Sequence, residues 1–383
     1  LQIAMSEYPH HIALLGAGTI GLSMLAMHLR RPDTRVTVFD PRPDAENQLR
    51  AQLPSFLDSS QFTSTNINST SFLQEPSSDT LINILISTKR LRLASSVHEA
   101  VQNATIIQEQ TPELLSSKQA LWTKVSRSAD INAHLWSSSS GIPASAQAAT
   151  CTLDVQARLV IAHPFNPPHI MPLVEIVPSP TTAPERVIFV QEYFKAIPGP
   201  GVGQSYSVTS QTPSPSASAL SQHYRPVTLQ KEISGFVGNR LAFALLREAC
   251  HLVGEGVVSA RDLDAIVTSS LGPRWAGSGV FESYHAGGGE GGIGAFLEKL
   301  SPTVKDVWGQ LGQPVILTEE ERRMRRDDGG DDGEGGSEEK WREMVVKQTE
   351  EAYGVGISAE MRVKKVKMLN GVLEMQKDCF GEL

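Results

Sequence analysis

Gly16-Ala17-Gly18-Thr19-Ile20-Gly21 stands between an apolar run, residues 11–15 (HIALL), and a stretch from Ile20 to Leu29 whose apolar residues recur at helical spacing. A second β-rich run, Val36-Thr37-Val38-Phe39, follows and ends at Asp40. The pattern predicts a strand, a helix and a strand, with a G-x-G-x-x-G turn at the first strand's end. In such a turn the first glycine allows the tight bend, the second lets backbone approach a pyrophosphate, and the third lets helix and strand pack closely. Gly18, Thr19 and Ile20 would then present the positive end of the helix to phosphate oxygens. The hexapeptide alone is a weak signal. Asp40, 19 residues beyond Gly21, strengthens it, because a carboxylate there can take ribose hydroxyls. Its charge would repel a 2′-phosphate, which favours NAD over NADP; Arg42, two residues on, works against that preference.

Further strand-like segments lie at 105–107, 134–136, 159–162 and 173–177, several with helical stretches between them. This alternation predicts an α/β fold: an N-terminal Rossmann-type, doubly wound, mostly parallel sheet. After Gly235 the texture changes to long amphipathic helices. Asn239 to Val253 and Ser259 to Ser269 are the clearest, and Ser259 with Asp262 suits a helix start. We therefore expect a Rossmann domain over 8–230 and an all-helical C-terminal domain over 231–383. Three stretches read as insertions: 54–89, of which 54–80 is Ser/Thr/Asn-rich without periodicity; 199–223, rich in Gly, Ser and Pro; and 319–340. Ile82–Ile86, the best apolar run, is strand length and far short of the roughly 20 residues a membrane span needs.

Thirty-four Lys and Arg against 42 Asp and Glu give a charge of -8, which argues against a nucleic-acid partner. Residues 319–340 hold ten acidic and five basic side chains, so the rest of the chain carries only -3. An anionic ligand in a cleft is therefore not disfavoured. Cys151, Cys250 and Cys379 are odd in number and lack metal-knuckle spacing; neither a disulfide framework nor a metal site is expected, and a reducing, cytoplasmic compartment fits, with mitochondrial and peroxisomal locations left open.

His163 ends the apolar strand 159–162, at the carboxyl edge where open α/β sheets place their ligands. Glu175 follows 12 residues later inside LVEIV, and prolines 164, 167, 168 and 172 exclude a helix between them. The segment must be strand, loop, strand, which can fold the two side chains together. A glutamate among apolar neighbours costs free energy unless paired, and His163 is the obvious partner. The carboxylate would fix the imidazole tautomer and leave the other ring nitrogen to take a hydroxyl proton. Alternatively, His163 is a structural loop histidine.

Five stretches resemble the 3-hydroxyacyl-CoA dehydrogenase family: GAGTIG with Asp40, QEQTPE (108–113), SSSSG (137–141), HPFNPPHIMPLVEIV (163–177) and KEISGFVGNRL (231–241). The resemblance spans most of residues 10–310. It implies NAD-dependent oxidation of a 3-hydroxyl, with His163 as base, Glu175 as its orienting partner, and Asn239 and Ser140 holding imidazole and substrate oxygen. The serine's register within 137–140 stays open, and Asn239 would equally serve as a helix cap. The resemblance further implies that Glu113 and Lys118 lie near the nicotinamide ribose; otherwise they are a helix start and a solvated charge.

The segment 272–285 (GPRWAGSGVFESYH) is more similar to the small-hydroxy-acid branches of the family, acting on carnitine or L-gulonate, than to the fatty-acyl branch. Arg274 could pair with a substrate carboxylate and Trp275 could face a quaternary ammonium; as core or subunit-contact residues they would do neither. The family resemblance also implies a small-molecule substrate and a homodimer. The competing reading is a non-catalytic NAD(H)-binding structural or regulatory protein of the same fold.

Overall fold

The computed structural model describes residues 8–57, 78–199, 223–314, 316, 318, 321 and 335–380. The chain divides into two compact units, one ending at Val237 and one beginning at Gly238. The first is built on a sheet in the order β3-β2-β1-β4-β5-β6-β7-β8 among the described residues. Its strands are β1 (His10–Leu15), β2 (Thr34–Phe39), β3 (Leu91–Leu93), β4 (Ile106–Glu109), β5 (His134–Ser137), β6 (Leu159–Pro164), β7 (Leu173–Pro178) and β8 (Arg225–Thr228). All neighbours pair parallel except β6 and β7.

Ile12, Ala13 and Leu14 of β1 are fully buried, because helices cover both faces of the sheet. On one face, α1 (Thr19–Leu29), α2 (Ala45–Gln52), α3 (Ser78–Ser87) and α8 (Pro184–Lys195) pack on Ile12, Leu14, Val36 and Val38. The other face carries α4 (Val97–Val101), α5 (Leu115–Ser126), α6 (Ala144–Ala148) and α7 (Leu153–Arg158), with Trp122 fully buried against Ala13, Ile107 and Leu135. Strand order reverses between β1 and β4, so the crevice beyond their carboxyl ends is the ligand position of a doubly wound sheet.

The second unit is helical among its described residues: α9 (Gly238–Gly254), α10 (Ala260–Ile266), a π turn over Val267–Leu271, α11 (Gly272–Gly277), α12 (Val280–Gly287), α13 (Gly292–Gln310), and two further helices, Gly335–Tyr353 and Ala359–Phe380. Ser259 caps α10 by accepting from the Asp262 N–H. No helix of the described residues is long and apolar enough to cross a membrane.

Three expectations change. Ile82–Ile86, a run of strand length, is helical, within α3: Leu81, Ile82 and Leu85 are buried while Asn83 and Ile86 are exposed, a helical spacing that a continuous apolar run conceals. The stretch 54–89 is accordingly helical over its last third, and 58–77 lies outside the described residues, as do 200–222 and most of 319–340. The division between units falls at Val237 rather than Lys231, because the Val237 N–H donates to Glu175 Oε1 at 3.1 Å and ties 231–237 to the sheet.

Candidate active site

The three glycines after β1 play three different parts. Gly16 has φ +108°, and a Cβ there would stand 2.8 Å from the Gln110 carbonyl oxygen at the end of β4. At Gly21 a Cβ would meet the Gly16 oxygen at 2.1 Å, which enforces close packing of α1 on the turn. A Cβ on Gly18 would meet nothing within 4 Å. That open space over the first turn of α1, beginning with Thr19 and Ile20, is the cradle a dinucleotide pyrophosphate fits.

Asp40 closes this edge at the end of β2. Its Oδ2 accepts from the Ala17 N–H at 2.7 Å and from Arg42 Nη2 at 3.0 Å, while Oδ1 accepts from Arg42 N and Nε. Burial opposes ionisation of the Asp40 carboxyl, but the Arg42 guanidinium and the two N–H donors outweigh it and hold the group below its ordinary value. Arg42 also donates to the Ala17 carbonyl. Guanidinium and carboxylate thus meet at the end of β2, beside the glycine turn.

His163 and Glu175 lie opposite each other in the antiparallel β6–β7 pair. The two residues are 4% and 3% exposed, and His163 Nδ1 lies 2.9 Å from Glu175 Oε2. A carboxylate only accepts, so Nδ1 carries a proton, and in the neutral imidazole Nε2 then holds the lone pair. Among the described residues nothing hydrogen-bonds Nε2. The other carboxylate oxygen is held by the Val237 N–H, which follows a left-handed turn at Gly235 (φ 75°) and Phe236 (φ 51°). A positive φ is uncommon at a bulky residue. Phe236 is fully buried with its ring 5.4 Å from that of His163, and Phe165 stands 5.0 Å away on the same imidazole.

A second polar cluster sits at the ends of β4 and β5. Lys118, 1% exposed, donates to Glu109 Oε1 at 2.8 Å and lies 3.3 Å from Glu113 Oε2. Glu113 Oε1 accepts from the Ser139 hydroxyl and from the N–H groups of Ser140 and Gly141, each at 3.0 Å. Half-burial opposes its ionisation, but Ser139, Lys118 and the Gly141 N–H outweigh burial and hold the carboxyl below its ordinary value. The Ser137 hydroxyl donates to Glu109 Oε2 and the Ser138 hydroxyl accepts from Gln108. Of the four serines, Ser140 is the exposed one. Gly141 O accepts from the Gly235 N–H at 3.3 Å, joining this loop to the turn that orients Glu175.

The structure therefore brings Gly16 to Gly21 and Asp40 to one edge, pairs His163 with Glu175, and joins Glu113, Lys118 and the Ser140 loop. Asn239 lies in the first turn of α9, and Arg274 and Trp275 are exposed neighbours on α11, all in the second unit. Glu109, Phe236 and Val237 carry weight that sequence reasoning missed. Glu109 lay inside the quoted QEQTPE, and Phe236 and Val237 lay inside the quoted KEISGFVGNRL.

Such an arrangement is that of a nicotinamide-dependent oxidoreductase. The 3-hydroxyacyl-CoA dehydrogenase NAD-binding domain matches residues 11–202 and the family's C-terminal domain matches 235–310, so the chain belongs to the 3-hydroxyacyl-CoA dehydrogenase family and uses NAD. It is 32% identical over 312 residues to an L-carnitine dehydrogenase of Streptomyces coelicolor, covering 80% of this chain and 83% of that one. A 3-hydroxyacyl-CoA dehydrogenase of Gibberella moniliformis is 33% identical over 306 residues, covering 79% and 80%. Among solved structures, 5-formyl-3-hydroxy-2-methylpyridine 4-carboxylic acid 5-dehydrogenase, an NAD+ dependent dismutase, matches with TM-score 0.65 and 22% identity over 98% of this chain and 99% of that one, a likeness of fold.

Proposed function

We propose that the protein oxidises the 3-hydroxyl of a small 3-hydroxy acid or a 3-hydroxyacyl-CoA, with His163 as general base. The observation that carries this reading is the buried His163–Glu175 pair at 2.9 Å, whose Nε2 lone pair has no other partner among the described residues. NAD, when bound at the Gly18 cradle, supplies the hydride acceptor. His163 Nε2 takes the hydroxyl proton, Glu175 stabilises the imidazolium that forms, and the Val237 N–H keeps that carboxylate aimed. Ser140 and Asn239 hold the substrate oxygen and imidazole; the exposure of Ser140, where Ser137 and Ser139 are buried and Ser138 is half-buried, supports that register. Glu113 and Lys118 support the nicotinamide ribose through the loop they hold.

For the substrate, we favour a carnitine-like molecule over a CoA ester. Exposed Arg274 and Trp275 adjoin on α11, a guanidinium for a carboxylate and an indole for a quaternary ammonium. The L-carnitine dehydrogenase relative agrees with this choice. A homodimer through the apolar face of α9 belongs to the same reading, since Leu241, Phe243 and Leu246 are each more than half exposed.

The test is NADH formation by the purified chain with L-carnitine, L-gulonate or a 3-hydroxyacyl-CoA. His163→Gln should lower kcat/KM about a thousandfold without altering NADH affinity. Activity surviving in that variant would remove the base assignment, and no turnover with any of the three would remove the substrate range.

A further inference from the structure

A cavity of about 700 Å³ lies at the β3 edge of the sheet, at the opposite end of the strands from the dinucleotide edge. His11 and Arg35, adjacent in the β1–β2 register, line it five residues upstream of Gly16 and Asp40, or roughly 16 Å along the strands. Arg50, Lys89 and Arg92 complete four cationic side chains there, against Glu46 as the one carboxylate of the lining.

The charges are not evenly matched. Arg50 is held by Glu46 and the Asn83 side-chain oxygen, and Arg92 by Glu99. Lys89 makes no ion pair among the described residues. Arg35 is half-buried, its Nε is shielded from solvent without an acceptor, and its Nη2 faces His11 Nδ1 at 3.4 Å. That neighbour cannot accept. Nδ1 lies 2.9 Å from the Asn103 carbonyl, which is only an acceptor, so Nδ1 carries a hydrogen; Nε2 is occupied by the Thr37 hydroxyl at 2.8 Å. His11, 6% exposed, is kept neutral: burial lowers its pKa to about 4, the Asn103 carbonyl opposes this, and the charges of Arg35 and Arg92 add to the lowering. A guanidinium whose donors face another donor is a costly arrangement unless an anion completes it.

We propose that this cavity is a second, anion-binding site that takes a phosphate-bearing small molecule of at least two negative charges, seated on Arg35 with Lys89 and Arg92 beside it. Such a dianion neutralises the two uncompensated cations, and the volume accommodates a group as large as a nucleoside diphosphate. The site is independent of the catalytic assignment, because none of its side chains belongs to the dinucleotide cradle or to the His163 pair.

The experiment is calorimetric titration of the full chain, held saturated with NADH and at constant ionic strength, with inorganic phosphate, pyrophosphate and ADP. Saturable binding is expected, tighter for pyrophosphate than for phosphate. ADP binding above pyrophosphate identifies a nucleotide as the source; equal binding identifies the free polyphosphate. Arg35→Gln and Lys89→Met should each weaken binding about tenfold while NADH affinity stays unchanged. Lys89 is exposed, so its variant folds even where Arg35→Gln does not. Absence of saturable binding, or equal affinity in wild type and the Lys89 variant, overturns the proposal.

Discussion

Helices α1 and α9 open the two units and bury themselves very differently. Every residue of α1 from Gly21 to Leu29 is buried, between the sheet and the 3-10 turn at Leu53. In α9, a longer helix of 17 residues, Val253 alone is buried, although the helix is richly apolar on one side. Both segments read as helices from periodicity, yet only one finds its partners inside its own unit. The first unit is thus a closed core against which the glycine turn is packed, and the second presents apolar side chains whose contribution depends on what they meet.

The sharpest break of that contrast is a matched truncation. Leu25→Ala in α1 removes a fully buried side chain and should cost about 2–5 kcal/mol of unfolding free energy in urea titration. Leu246→Ala in α9, where the side chain is 55% exposed in the single chain, should cost the monomer under about 1 kcal/mol. Equal costs would mean that the second unit's face is covered in solution.

Acid should find the first unit next. His28 is fully buried, with Nε2 donating to Gln108 and Nδ1 against the Tyr193 hydroxyl. Burial lowers its pKa to about 4, although the Gln108 bond opposes this. The unfolded chain therefore takes up the proton first, near 6.5. The neutral imidazole's contribution is complete above that pH and lost as pH falls toward 4, a change of about 3 kcal/mol. His134 and His169 shift the same way through burial. Between pH 7 and pH 4.5 wild type should lose about 2 kcal/mol more than His28→Gln; parallel curves would refute the buried neutral form.

The same closed packing explains what was legible in the sequence. G-x-G-x-x-G with Asp40 marked β1, α1 and β2 because each glycine answers to a local steric demand. The His163–Glu175 pairing followed from prolines that leave only strand, loop, strand. Edge elements were harder to read. β3 is three residues long, and β8 carries Pro226 and exposed Arg225, so neither shows an apolar period. α3 was hidden by a continuous apolar run, and the hold of Val237 on Glu175 is a backbone bond that no side-chain pattern encodes.

Gly18 and Gly21 separate cofactor binding from packing inside that core. Gly18→Val projects into open space, so the melting temperature should hold while NADH affinity drops about tenfold, as calorimetry would show. Gly21→Val drives a side chain into the Gly16 carbonyl and should lower both. A Gly18 variant that binds NADH normally would displace the pyrophosphate from this turn.

The smallest effect on stability is also the most direct probe of the second unit. Leu246→Glu puts a charge where the side chain is already 55% exposed, so unfolding of the single chain should change by about 0.5 kcal/mol or less. If α9 is the dimer surface, the same carboxylate enters an apolar contact twice, once from each copy, at the cost of its desolvation. Light scattering should then give a dimer mass for wild type and a monomer mass for the variant at micromolar concentration. A wild-type monomer would leave the exposed face of α9 to the second unit's other contacts, while a variant that stays dimeric would move the interface elsewhere on the helical unit. Either result decides whether the open packing of α9 is a property of the folded chain or of the chain taken alone.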